Sequence, residues 1–249
     1  MSTPPIIATI LAASKTVRPM TGDAHPPERF ETVYHQRRRD FYADLYSLKA
    51  DLKQGIDYVI YCRPGTSGVT VVAPHGGNIE SGTSELARAI AGNDHNLFDF
   101  VFMNGTFRHR GHVTSTNFMD DRLAGLLSRS RICVSLHRMR DVHHKIYLGG
   151  RNKELKELAS ERLAAMGFLT DLEPPRLKGV DKRNFVNLAS ERGLQVEIPA
   201  PVAESLLPGV SEYARSASVY RLREKTSPTF QAFVFAIRSA VDDYMEKRQ

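Results

Sequence analysis

Apolar positions along the chain change their period several times, and each change marks an element. Phe41, Leu45, Leu48 and Leu52 recur at helical spacing, and Gly55 closes that run. Short apolar runs at 57–62 and 69–73 flank a Pro-Gly-Thr-Ser-Gly segment and predict two strands around a turn. The same reading expects helices over 81–91 and 120–128 and strands over 98–103 and 132–136. A short strand over 145–148 runs into Gly149-Gly150. A helix over 152–166 turns Leu155, Leu158, Leu163 and Met166 inward, and strands follow at 168–171 and 194–198. Ser227-Pro228 has the form of a cap followed by proline at the first helical position. The helix it opens carries an apolar stripe of Phe230, Phe233, Val234, Ile237, Val241 and Tyr244. Strands alternating with helices predict a single-domain α/β fold, with a mixed, mostly parallel sheet flanked by helices. Residues 1–36 hold Pro4, Pro5, Pro19, Pro26 and Pro27 and no sustained period. They are expected to form an N-terminal extension to one domain over 37–249, with Arg37-Arg38-Arg39-Asp40 as its solvated helix start.

Composition narrows the class. Hydrophobic residues make up 41% and charged residues 25% of 249, enough apolar material for a folded core. No apolar run approaches the roughly 18–20 residues of a membrane span, so no membrane association is expected. The net charge of +6 favours an anionic partner. The cations are scattered and not interleaved with aromatic residues, so a nucleic acid is not the expected partner. Cys62 and Cys133 sit inside strand-like apolar runs and read as buried thiols; two cysteines make neither a disulfide framework nor a cysteine zinc site. The N-terminus has early prolines, a short apolar stretch and no cationic leader, which predicts a cytoplasmic protein open to release by lysis.

In open α/β sheets, sites form at the carboxyl ends of strands. Three strands here end in chemistry. Val71-Val72-Ala73-Pro74 runs into His75, and Gly76-Gly77 is expected to turn the chain sharply towards Glu80 at the start of a helix. Ile132-Cys133-Val134-Ser135-Leu136 ends in His137. Two histidines and a glutamate are a common catalytic zinc set that leaves a fourth position for water. The same set also suits non-haem iron. Glu197 interrupts an apolar strand between Val196 and Ile198, where a carboxylate is costly unless paired, and is the candidate general base. His143-His144 is a competing metal cluster. Neighbours on a strand point to opposite faces, which counts against it.

The chain resembles the phage and prophage poly-γ-glutamate hydrolases, whose fold is like that of the zinc carboxypeptidases. The resemblance is carried by Ala73-Pro-His-Gly-Gly-Asn-Ile-Glu-Ser-Gly-Thr-Ser-Glu-Leu-Ala87, His112-Val-Thr-Ser115, Ser135-Leu-His137, Tyr147-Leu-Gly-Gly150, Asn184-Phe-Val-Asn187 and Gly193-Leu-Gln-Val-Glu197, in that order. It implies one zinc per chain held by His75, Glu80 and His137, Glu197 as the base, and an anionic substrate such as a γ-linked glutamate polymer or related acidic peptide. His112, Asn184 and Asn187 stand at motif positions and are candidates for substrate binding. Two departures lie beside the site. Arg138-Met139-Arg140-Asp141 replaces a glycine and a small residue, and Ile198-Pro199-Ala200-Pro201-Val202 lacks a cation that usually follows the base. Arg138 and Arg140 are candidates to neutralise a substrate carboxylate or an oxyanion. The departures keep open a zinc deacylase or carboxypeptidase acting on small N-acyl amino acids or peptides. A basic nucleic-acid-binding protein of phage replication is the reading from another class.

Overall fold

A computed structural model describes residues 40–213 and 227–248. The extension expected over 1–36, with Arg37–Arg39, lies outside the described residues. Asp40 does not open a helix. The first helix, α1, spans Leu45–Asp51, and Asp44 caps it by accepting from Ser47 N at 2.7 Å.

Strand β1 spans Tyr58–Arg63 and β2 spans Val69–Gly77. Helix α2 (Thr83–Ala91) leads to β3 (Asn96–Phe102), α3 (Asp121–Leu127) and β4 (Ile132–Arg138). Next come β5 (Lys145–Gly149), α4 (Lys153–Ala165), β6 (Leu169–Asp171) and β7 (Gly193–Ile198). Two short helices, α5 (Ala200–Leu206) and α6 (Val210–Tyr213), precede the long α7 (Pro228–Glu246). The cap read at Ser227 holds, accepting from Phe230 N at the head of α7, and Asn152, which the sequence placed inside a helix, caps α4 by accepting from Leu155 N. The short helices α5 and α6 carry no signal in the apolar pattern, because Pro199 and Pro201 interrupt it.

The seven strands form one mixed sheet in the order β1-β3-β2-β4-β7-β5-β6. Its centre, β3-β2-β4-β7, is parallel; β1 and β5 join antiparallel to β3 and β7. One face buries Val71, Val134, Leu136, Val196 and Ile198 under Leu155, Phe233 and Ile237. The other buries Val72, Phe98, Phe100, Phe102 and Cys133 under Leu45, Leu123, Phe118 and Phe185. Because side chains alternate along a strand, the second face also receives His137 of β4, Glu197 of β7 and Tyr147 of β5. These three stand in one row, since Glu197 pairs with His137 on one side and with Tyr147 on the other.

Candidate active site

Strict alternation from Val71 and Ala73 sends residue 75 to the first face. A bulge prevents this. The β2–β3 register shifts between Ala73 and Gly76, and His75 emerges on the second face, edge-on to Phe118 with ring centres 6.1 Å apart. The sharp turn expected at Gly76-Gly77 is therefore displaced: both glycines stay in the strand, opposite Val101 and Phe102, and the chain turns only over 78–82. Gly76 is glycine for lack of room. A Cβ there meets Ser84 Oγ at 2.2 Å and Asp99 Oδ1 at 2.6 Å. Those two groups hold the strand end in place. Gly77 N donates to Ser84 Oγ, Ser84 Oγ donates to the buried Asp99 Oδ1 at 2.8 Å, and Arg88 Nε donates to Asp99 Oδ2 at 2.8 Å. Glu80 is brought back over His75 by its own N–H, which donates to His75 O at 2.8 Å.

The Glu80 carboxylate lies between two imidazoles. Its Oε1 is 2.8 Å from His75 Nδ1, and its Oε2 is 3.3 Å from His137 Nδ1. Oε2 also accepts from the Arg138 main-chain N–H at 2.9 Å. His75 Nε2 lies 2.9 Å from the Val113 carbonyl, which can only accept, so this nitrogen carries the proton. Burial pushes the His75 pKa down and favours the neutral ring. A neutral ring protonated at Nε2 turns a bare Nδ1 lone pair towards Glu80 Oε1. Two lone pairs at that distance call for a cation shared between them, which is the donor chemistry of a metal site whose imidazole is held from behind by a carbonyl. His75, Glu80 and His112 offer ligand atoms within 4.8 Å of one another, and His137 adds a fourth candidate donor.

The two further histidines differ in orientation. His112 lies nearly flat on His75, with centroids 4.2 Å apart and an interplanar angle of 29°. His137 meets His75 at 69°. Rings stacked face to face keep their in-plane lone pairs in near-parallel planes, whereas crossed rings can direct theirs to one point. His112 is held at its Nδ1 edge, as His75 is held at its Nε2 edge. Its Nδ1 is 2.7 Å from Asp40 Oδ1, while Asp40 Oδ2 accepts from Thr114 N.

Glu197 is almost fully buried, and burial pushes its pKa up to about 7 against the pull of His137. Burial also raises the Glu80 carboxyl, but positive charge at the His75 and His137 positions outweighs it and holds Glu80 well below the carboxylate range, a preference that a metal cation there would also meet. Burial lowers His137, and the carboxylates of Glu197 and Glu80 reverse this to a net rise. Two nearby carboxyls are thus driven apart by their surroundings.

Asn184 Nδ2 donates to Gln195 Oε1 at 2.8 Å, and Gln195 Nε2 donates to Glu197 Oε1 at 2.8 Å. Asn187 donates to the carbonyls of Gly179 and Asp181 and accepts from Arg151 N. Both amides are engaged within the protein. Arg138 follows His137, so its side chain passes to the opposite face. There it lines a small cavity with Ile198 and Leu207, and donates to Ser211 Oγ at 2.9 Å. Arg140 is exposed. His143 and His144 lie in the turn before β5, outside any strand. Asp40, Gln195 and Tyr147 join the site without having been singled out. Tyr147 alone had a local signal, as an aromatic residue at the mouth of an apolar strand.

The fold and site together define an α/β protein with a candidate metal centre at the carboxyl ends of parallel strands. Residues 42–236 match the poly-γ-glutamate hydrolase family, and the chain belongs to that family. It is similar to a solved bacteriophage poly-γ-glutamate hydrolase, with 26% identity and a TM-score of 0.77, over 84% of this chain and 100% of that one. Among curated relatives, the SPbeta prophage-derived UPF0714 protein YoqZ of Bacillus subtilis (strain 168) is 32% identical over 162 residues, 63% of this chain and 59% of that protein. UPF0714 protein YndL of the same organism is 30% identical over 161 residues, 62% of this chain and 63% of YndL. A zinc-free form of YndL shares the fold at a TM-score of 0.74 and 24% identity, over 83% of this chain and 99% of that one. The chain thus spans about three-fifths of the length of YoqZ and YndL. Among the described residues, no helix is long and apolar enough to cross a membrane.

Proposed function

We propose that this protein is a zinc-dependent hydrolase that cleaves γ-glutamyl amide bonds in poly-γ-glutamate or a related acidic peptide. His75, Glu80 and His137 would hold one zinc, and Glu197 is the general base. The observation that carries this reading is the Glu80 carboxylate set between the Nδ1 atoms of His75 and His137, with Glu197 in register beside His137. The crossed planes of His75 and His137 favour His137 over His112 as the third ligand.

A zinc held by these residues would polarise the scissile carbonyl and make a water there easier to deprotonate. Glu197 takes the proton from the attacking water on Oε2, because Oε1 is held by Gln195. A carboxyl with a pKa near 7 both accepts a proton and gives it back, so Glu197 then hands the proton to the leaving nitrogen. The chain Asn184–Gln195–Glu197 fixes the base in one rotamer. Asn187 holds the 179–181 segment that walls this side. His112, steadied by Asp40, contributes to substrate binding from the exposed rim.

The test is to incubate the purified protein with poly-γ-glutamate before and after chelation, and again after zinc is restored. The reading expects shortening of the polymer that stops on chelation and returns with zinc. A zinc-loaded protein that leaves the polymer at full length contradicts it.

A further inference from the structure

Arg138 has no part in the chemistry above, yet it meets the Glu80 turn on two sides. Its main-chain N–H donates to Glu80 Oε2 at 2.9 Å. Its side chain leaves β4 on the opposite face and donates from Nη2 to Ser211 Oγ at 2.9 Å, across 73 positions of chain. There it lines a cavity of about 10 Å³ together with Ser81, Gly82 and Thr83, the residues that follow Glu80. Two buried groups on that cavity, Arg138 Nε and Ser81 Oγ, have no hydrogen-bond partner among the described residues. A space of this size admits one water, which would join the turn to the guanidinium.

The far end of this contact is itself fixed. Glu204 of α5 accepts from Gly209 N on Oε1 and from Ser211 N on Oε2, so its carboxylate ties α5 to the first turn of α6. The near end is less secure. Arg138 is the last residue of β4, opposite Ile198 of β7. Glu80 stands in a turn, outside any helix or strand.

We propose that the Arg138 side chain is a positioning strut: seated on Ser211, it holds its own N–H against Glu80 and so sets how tightly the site retains zinc. The zinc part rests on the assignment of Glu80 as a ligand. A carboxylate in a turn must give up rotamer freedom to bind a metal. A donor that already holds one oxygen lowers that cost, and the groups that hold a ligand from behind govern metal affinity nearly as much as the ligand does. The Arg138 N–H is such a donor only while the end of β4 keeps its orientation. A side chain anchored beyond the sheet resists twisting of that end. Its course also carries the guanidinium away from the face that bears His137 and Glu197, so this cation serves the ligand through the main chain. Zinc retention is thereby linked to the packing of α5 and α6.

The test compares wild type with Arg138→Met, Arg138→Lys, Ser211→Ala and the double variant Arg138→Met/Ser211→Ala. Two quantities are measured: the zinc dissociation constant, by competition with a chromogenic chelator, and the exchange protection of the residue-138 amide hydrogen in the metal-free protein. Arg138→Met should weaken zinc binding by about tenfold or more. Ser211→Ala should weaken it by a smaller factor, and Arg138→Lys should recover part of the loss. The double variant should be no weaker than Arg138→Met, because both changes remove one contact. Protection of the amide should fall in the same order. The control is Ser205→Ala, whose lost hydroxyl bonds only back to Val202 within α5, and it should move neither quantity. Amide protection unchanged in Arg138→Met and Ser211→Ala overturns the strut, as does an equal zinc loss in Ser205→Ala. A wild type that binds no zinc overturns the metal site, while a loss of amide protection in Ser211→Ala still upholds the hold on Glu80.

Discussion

His137 and Glu197 stand directly opposite one another on β4 and β7, on the same face of the sheet, with Glu80 on the other side of His137. One imidazole thus separates a carboxyl held far down from a carboxyl pushed up. That division of labour underlies the first prediction. Glu197→Gln should keep its metal and lose turnover by about 10²–10⁴-fold, the usual contribution of a general base. Metal analysis alongside the rate checks it. Near-wild-type hydrolysis removes Glu197 from the mechanism.

Gln195 links Asn184 to that base. Gln195→Leu leaves the Asn184 amide without its acceptor and frees Glu197 to rotate. The expected result is a kcat lower by about tenfold with KM and metal content little changed, the signature of an interaction made in the transition state. A rise in KM alone places Gln195 with substrate binding instead.

The strand end that carries His75 depends on the absence of a side chain at 76. Gly76→Ala drives a methyl group into Ser84, Asp99 and the Phe100 carbonyl. The cost should be on the order of 1–3 kcal/mol, as in other overpacked sites, with weaker zinc retention because the bulge that aims His75 is displaced. Thermal denaturation and dialysis against a chelator read both effects. An unchanged melting temperature contradicts the packing.

Acid stability turns partly on Asp120. It is buried at the head of α3 and accepts from Lys49 Nζ at 2.7 Å and from Arg122 Nε at 2.9 Å. Burial alone raises its pKa, but hydrogen bonds from Arg122 and Lys49 prevail and bring it to about 2. A folded pKa below the unfolded value of about 3.9 means stability that is present above that value and lost as pH falls towards 2. Asp120→Asn keeps a good helix cap and removes the charge. It should cost about 1–2 kcal/mol at neutral pH, discounted for the solvent-exposed partners, and the gap should close near pH 2. Urea denaturation at both ends of this range checks the sign. A gap that persists at pH 2 assigns the effect to packing.

The sequence was most legible where chemistry is local to one strand. Apolar runs ending in His75, His137 and Glu197 mark the carboxyl ends of β2, β4 and β7, and the cap Ser227 before Pro228 marks the start of α7. Legibility failed where a residue's role depends on a distant partner. Asp40 looked like part of a charged helix start and is bound to His112, across 72 positions of chain. Arg138 looked like a cation beside the metal ligand, but alternation along β4 carries its side chain to the other face. The displaced turn has a similar origin. Gly76-Gly77 permits a turn, but the main-chain partners Val101 and Phe102 of β3 keep both residues in the sheet.

The central claim is that His75, Glu80 and His137 hold one metal ion and that His112 stands beside it. Elemental analysis of the purified wild type, His137→Ala and His112→Ala tests this most directly. The account predicts about one zinc per chain in wild type and in His112→Ala, and loss of zinc in His137→Ala. Zinc retained by His137→Ala but lost from His112→Ala, or absent from all three proteins, would contradict it.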